Sequence, residues 1–267
     1  GMRVDGTFNN NDGTFVIAGS ITKVQMGSIG GAPTGFSINN APFHHLIIND
    51  SINFAWATGT LFNVEGDLTV AAGQTLGANN ENSGIKVLGD VTLNGTLGNS
   101  FLSNDCEFGS LTINSGGTYF ATSGTTTITS ESSAGNAILN NGTFTHNKGT
   151  VAIDTDATTQ ANEGPYYNFK TTRASLDFYP NAALTIQNNL DIVGDFDFQN
   201  NSHHLTVRGN MTVGDGSTTT RYGQQSANTN NLTVDGVLTI LGSATTDLST
   251  HTTVNLGGIR NVGGTIN

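Results

Sequence analysis

A single cysteine, Cys106, and only four prolines among 267 residues exclude two classes of answer at once. One thiol closes no intrachain disulfide and builds no thiolate metal cluster, so stability must come from packing and backbone hydrogen bonds. So little proline is foreign to the Pro-rich, highly charged composition of disordered chains. Charge is scarce as well, at 11% of residues where roughly 25% is usual. The 9 Lys and Arg face 20 Asp and Glu, giving a net charge of −11 that no local basic cluster reverses. Such a balance repels nucleic acid and anionic membranes, so neither is an expected partner. No run of about 18 apolar residues occurs, so membrane insertion is not expected. Gly1 ahead of Met2 is no translation start, and the chain is expected to be a fragment or to carry an added residue. The lack of a charged-then-apolar leader is therefore uninformative.

What fills the space is Asn, Thr, Ser and 35 glycines, interleaved with single Val, Ile, Leu and Phe. Threonine and the β-branched apolars suit strands, while Gly and Asn suit tight turns. Gly or a β-branched residue interrupts every helical window, each at about 0.5–1 kcal/mol relative to Ala, so little or no helix is expected. Short segments recur in which a turn residue precedes apolar–polar–apolar: "GDLTV" at 66, "GDVTL" at 89, "GSLTI" at 109 and "GNMTV" at 209. The first three starts lie 23 and 20 residues apart, the length of one β-solenoid turn. The expected fold is all-β, a parallel β-helix of about a dozen coils; a β-sandwich array is the main competitor. Asparagines at corners are expected to stack as ladders, and inward apolar residues to form one narrow core.

A longer repeat lies over this one. Gly6, Thr7, Phe8, Asn11, Gly13, Thr14 and Ile17 recur 136 positions later as Gly142, Thr143, Phe144, Asn147, Gly149, Thr150 and Ile153. "PFHHLIIN" at 42 then answers to "PYYNFKTT" at 165, "VEGDLTV" at 64 to "IQNNLDI" at 186, and "IKVLGDVTL" at 85 to "LTVRGNMTV" at 205. The chain is therefore expected to form one domain over 1–267, made of two divergent repeats, about 5–135 and 141–267. It starts within the pattern and stops at "GGIRNVGGTIN" without a helical or charged cap, which leaves open ends as candidate association surfaces.

"NNGTFTHNKGTVAI", "YYNF", "NNLDIVGDFDF" and "LTVRGNMTVG" together resemble a module repeated in large bacterial surface proteins and marine phage virion proteins. "GSLTINSGGTYFATSGTTTITS" is similar to the same class, and the wording departs from it at "FHHLIIND" and "YYNFKTT". The resemblance covers most of the chain. It implies a β-solenoid in an extracellular, virion or cell-surface setting, as a tail fibre, spike, decoration or adhesin segment. The module carries no shared catalytic motif, so it assigns no catalytic residue.

Paired carboxylates are the first chemistry to weigh, because glycoside hydrolysis needs two carboxyls about 5–9 Å apart. Asp195 and Asp197 share a strand face by alternation, as do Asp154 and Asp156, and Glu65 and Asp67 flank a turn. Inward Phe196 and Phe198 would point Asp195 and Asp197 outward for structural reasons alone, so no catalytic residue is assigned. Lys170 and Arg173, beside Tyr166 and Tyr167, are the one cationic cluster a polysaccharide lyase could use. Adjacent histidines, His44–His45 and His203–His204, point to opposite strand faces and do not chelate one ion easily. No metal or cofactor is expected beyond adventitious calcium at Asp/Asn turns. Trp56, Tyr119, Tyr166, Tyr167 and Tyr179 are aromatic platforms for sugars wherever they are exposed, while Phe8, Phe15, Phe144 and Phe169 are expected in the core. The carbohydrate-binding set is thus Trp56, Tyr166, Tyr167, Lys170 and Arg173.

The reading these observations favour is a non-enzymatic structural or adhesive solenoid module of a virion appendage or bacterial surface. Its expected partners are other virion or surface proteins, host or environmental glycans, and a second copy through open ends or faces. A carbohydrate-active β-helix, either a depolymerase or a lyase, is the first alternative; a self-assembling filament subunit is the second.

Overall fold

Alternation along the sequence becomes alternation of burial. In the strand Leu68–Val70, Leu68 and Val70 are buried and Thr69 is half-exposed; Leu205–Val207 and Met211–Val213 repeat the pattern. A computed structural model describes residues 2–4, 14–17, 24–26, 43–49, 51–54, 61–78, 84–100, 102–156, 158–161, 164–180, 182–197, 203–223 and 230–267. Phe8 and Trp56 lie outside the described residues. Every described element is a strand, and the strand pairs of the ladders are parallel, stacked as a β-solenoid of about eight turns.

The chain divides into two compact units, Gly1–Thr127 with Asn141–Gly149, and Ile128–Asn140 with Thr150–Asn267. In the first, one inward column runs Leu46, Leu68, Val91, Leu111 and another Leu76, Leu97, Tyr119, Phe144, all buried. In the second, the matching column runs Val151, Phe169, Leu190, Met211, Leu238, and ends on the half-exposed Ile259. Parallel partners of this kind share every backbone N–H and C=O with the turns on either side, which is how a chain with so few apolar residues holds its strands.

Among the described pairs of the second unit, successive partners are 18 residues apart at the shortest, as from Val151 to Phe169, and 27 at the longest, as from Met211 to Leu238. The step from Phe15 to Leu46 takes 31. The fold is the expected parallel β-solenoid, with about eight turns for the approximate dozen.

Registers recur between the units. Thr14 pairs with His45 as Thr150 pairs with Asn168, Leu46 with Leu68 as Phe169 with Leu190, and Leu68 with Val91 as Leu190 with Met211. Even the isolated bridges correspond, Phe43 to Val64 and Tyr166 to Ile186. These are the residue pairs that the sequence repeat sets against each other.

Two features make the corners. Gly89 N–H donates to the Gly66 carbonyl at 3.0 Å, and Gly236 N–H to the Gly209 carbonyl at 2.9 Å. A Cβ at Gly236 would lie 2.6 Å from the Gly209 oxygen, so these glycines are present for close backbone approach rather than for a left-handed φ. Beside them run side-chain ladders. Asn210 N–H donates to Asn189 Oδ1 at 3.0 Å, and Val237 N–H to Asn210 Oδ1 at 3.0 Å. In the first unit the same rungs carry His45, Asp67 and Asp90: Asp67 N–H donates to His45 Nδ1 at 2.9 Å and Asp90 N–H to Asp67 Oδ1 at 2.9 Å. Asn114 donates to Asn94, and Asn188 to Asn168, at 2.9 Å each. Because Val237 N–H depends on Asn210 Oδ1, Asn210→Ala is expected to cost about 1 kcal/mol and Asn210→Asp less, read as a shift in the urea midpoint.

Candidate functional site

Tyr166 sits where Phe43 sits in the first unit, and the interior claims both side chains, each 0% exposed. Its ring packs 5.1 Å from Phe169, and burial pushes its hydroxyl pKa well up. Tyr166 is therefore a core residue and presents no face to a sugar, which corrects the expectation for it. Tyr119 is likewise fully buried, with its hydroxyl 2.8 Å from Thr126 Oγ1. Phe144 and Phe169 are in the core as expected. Tyr167 and Tyr179 remain half-buried on the outside, and Tyr167 gives its carbonyl to Asn188 N–H at 2.7 Å.

Lys170 faces outward on Asn168–Thr171, in register with Ala152 on one side and Asp191 on the other. Arg173 is exposed but engaged: its Nε donates to Asp154 Oδ1 at 2.5 Å, and Nη1 lies 3.7 Å from Asp156 Oδ2. Thr172 Oγ1 donates to the same Asp154 oxygen at 2.7 Å. The Arg173 guanidinium, helped by that hydroxyl, holds the Asp154 carboxyl below the usual carboxylate range. The sequence pairs Asp154–Asp156 and Lys170–Arg173 thus meet in one mixed cluster, in which the arginine neutralises the carboxylates.

A second cluster forms around Arg221, which holds Asp195 through Nε at 2.9 Å and through Nη2. Asp177, Asp195 and Arg221 occupy successive rungs of one column. Asp197 corrects the outward expectation: it is 5% exposed, and its N–H donates to the Phe178 carbonyl at 3.1 Å. The strand Asp195–Phe196 ends at Phe196, so alternation stops there and the next side chain turns inward.

The histidines act separately. His44 and His45 rings meet edge-on at 4.5 Å, His45 Nδ1 accepts from Asp67 N–H, and His204 Nδ1 accepts from Asn231 N–H at 2.9 Å. Among the described residues no three His, Cys, Asp or Glu gather in a way that could hold a metal ion. Asp215, an isolated acidic turn, spends Oδ1 on Ser217 and Thr218 N–H at 2.8 and 2.7 Å, and those donors hold its pKa well down. Cys106 is buried, and desolvation pushes its thiol up to about 12, so no reactive thiolate is available at neutral pH.

The most regular polar surface was not singled out by any motif. Thr75, Thr96, Thr118 and Thr143 are successive register partners in the first unit, outward-facing on four stacked strands. Ser51 extends the column by one turn, accepting Thr75 N–H on its Oγ at 3.0 Å and donating to Gln74 Oε1 at 3.2 Å. Thr69, Thr92 and Thr112 form a parallel row on another face of the same unit. The signal lay in Thr recurring once per turn, legible only after the turns are aligned. In the second unit an open cleft of about 440 Å³ is lined by Thr233, Val234, Asp235, Val254, Asn255 and Leu256. Its one carboxylate, Asp235, pairs with Arg208 at 3.1 Å. No protein-family model, no curated protein and no solved structure matches this chain.

Proposed function

We propose that this chain is a structural and adhesive β-solenoid module of a virion appendage or bacterial cell surface, working outside the cell and touching glycans without converting them. The observation that carries this reading is the outward hydroxyl column Ser51, Thr75, Thr96, Thr118, Thr143, one group per turn on a backbone whose turns are locked in register. Strand stacking sets such groups about 4.8 Å apart. Single contacts of this kind are weak, and their number along a stiff scaffold supplies the affinity. The arginine-paired state of Asp154 and Asp195 supports a scaffold role for those carboxylates over acid–base work.

The test is a glycan panel read for both retention and polymer length. The expected result is retention of at least one glycan class at unchanged length, reduced about tenfold by Thr96→Lys together with Thr118→Lys. Shortened polymer would establish the carbohydrate-active alternative instead. Retention of nothing on a broad panel would remove the adhesive half of the reading.

A further inference from the structure

The second unit holds an aromatic column whose composition changes along its length. Phe178, Phe196 and Tyr222 are register partners in successive turns, with ring centroids 5.0 and 6.0 Å apart. The next register position is Thr246, too small to continue the stack. His251 supplies the missing ring from the following turn, 5.6 Å from Tyr222 and only 23° from parallel.

Polar groups gather at the end of this apolar column. Among the described residues, Tyr222 Oη, Thr246 Oγ1, Asn230 Oδ1 and both ring nitrogens of His251 are buried side-chain atoms without a hydrogen-bond partner by distance and angle. Tyr222 and Thr246 are 0% exposed and Asn230 1%. The Asn230 carbonyl lies against the imidazole and also accepts from Thr252 N–H at 2.9 Å. Buried polar groups are almost always paired, so the orphans that Tyr222, Thr246 and His251 bring together call for a partner.

Their chemistry says which. Burial lowers the His251 pKa and raises that of Tyr222, so both stay neutral near pH 7. Neutral imidazole offers one donor and one acceptor, each hydroxyl offers both, and Asn Oδ1 accepts. The nearest charges are carboxylates, Asp197 toward Tyr222 and Asp247 toward His251, which disfavour an anion. This set of groups suits a small molecule that both donates and accepts. We propose that the last turns of the second unit enclose an ordered-water site, bridging Tyr222 Oη, Thr246 Oγ1 and the His251 ring, and that this water is part of the folded core.

Two near-isosteric variants test it, because each removes one hydroxyl and nothing else of size. If water bridges the hydroxyls, Tyr222→Phe and Thr246→Val each lower the melting temperature by about 2–4 °C. The double variant then loses clearly less than the sum, since both deletions empty the same bridge. A rise in melting temperature for Tyr222→Phe would show a truly orphaned hydroxyl and overturn the proposal, as would strict additivity. A high-resolution crystal structure of the full chain provides the direct reading. An ordered oxygen within hydrogen-bonding distance of both hydroxyls is expected, and a dry gap between them refutes the site.

Discussion

Phe196→Ala is expected to destabilise the second unit by about 3–5 kcal/mol, the largest effect of any single side chain considered. Phe196 is 0% exposed and sits between two other rings, Phe178 at 5.0 Å and Tyr222 at 6.0 Å. Truncation removes the buried ring, both ring–ring contacts and the spacer that keeps successive turns apart, leaving a cavity whose walls are anchored in the β ladder and cannot collapse. Phe196→Leu, which keeps most of the volume, should cost nearer 1 kcal/mol. Guanidinium denaturation followed by far-UV circular dichroism reads both. A loss below about 1 kcal/mol for the alanine variant would mean that the column is filler and that backbone pairing alone holds these turns.

The second large effect comes from adding a single methyl group. Gly89→Ala would place a Cβ 2.7 Å from the Gly66 carbonyl oxygen and 2.3 Å from Asp67 Oδ1. The carboxylate can swing away, but the carbonyl belongs to the preceding turn and already accepts the Gly89 N–H at 3.0 Å. Making room means pulling two turns apart, so a cost of about 3 kcal/mol is expected. Gly258→Ala provides the control, because its nearest neighbour would be Val237 Cγ2 at an ordinary 3.5 Å. That variant should stay within about 0.5 kcal/mol of the parent. Equal losses for the two would show that the penalty is not steric and that the corner glycines serve some other need.

Much of the fold could be read from residue order. The offset of 136 that links Thr14 to Thr150 reappears as two four-residue strands, Thr14–Ile17 and Thr150–Ile153. The spacings of 23 and 20 became the registers Leu68 with Val91 and Val91 with Leu111. The candidate site was far less legible. Tyr166 looked like a platform beside Tyr167, yet its bridge to Ile186 turns it into the core while its neighbour stays at the surface. Asp197 looked like a solvated partner of Asp195 until the strand ended one residue too early to continue the alternation. Arg173 read as the partner of Lys170 in a cationic cluster, but Asp154 lies beside it, contributed by the preceding turn.

By itself the sequence determined what repeats: strand-forming triplets, Gly and Asn corners, apolar residues at every second place, and a turn length near 20. Those properties are local, and period-two alternation carries them without reference to any distant residue. Tertiary structure alone decided which groups meet across turns. It put Thr75, Thr96, Thr118 and Thr143 in one line, closed Arg221 onto Asp195, and brought His251 over Tyr222. Such meetings depend on how many residues each turn takes, 18 in one and 27 in another. Corners absorb those differences while the strands keep their register, so a residue's place in the sequence does not by itself name its neighbour in the next turn.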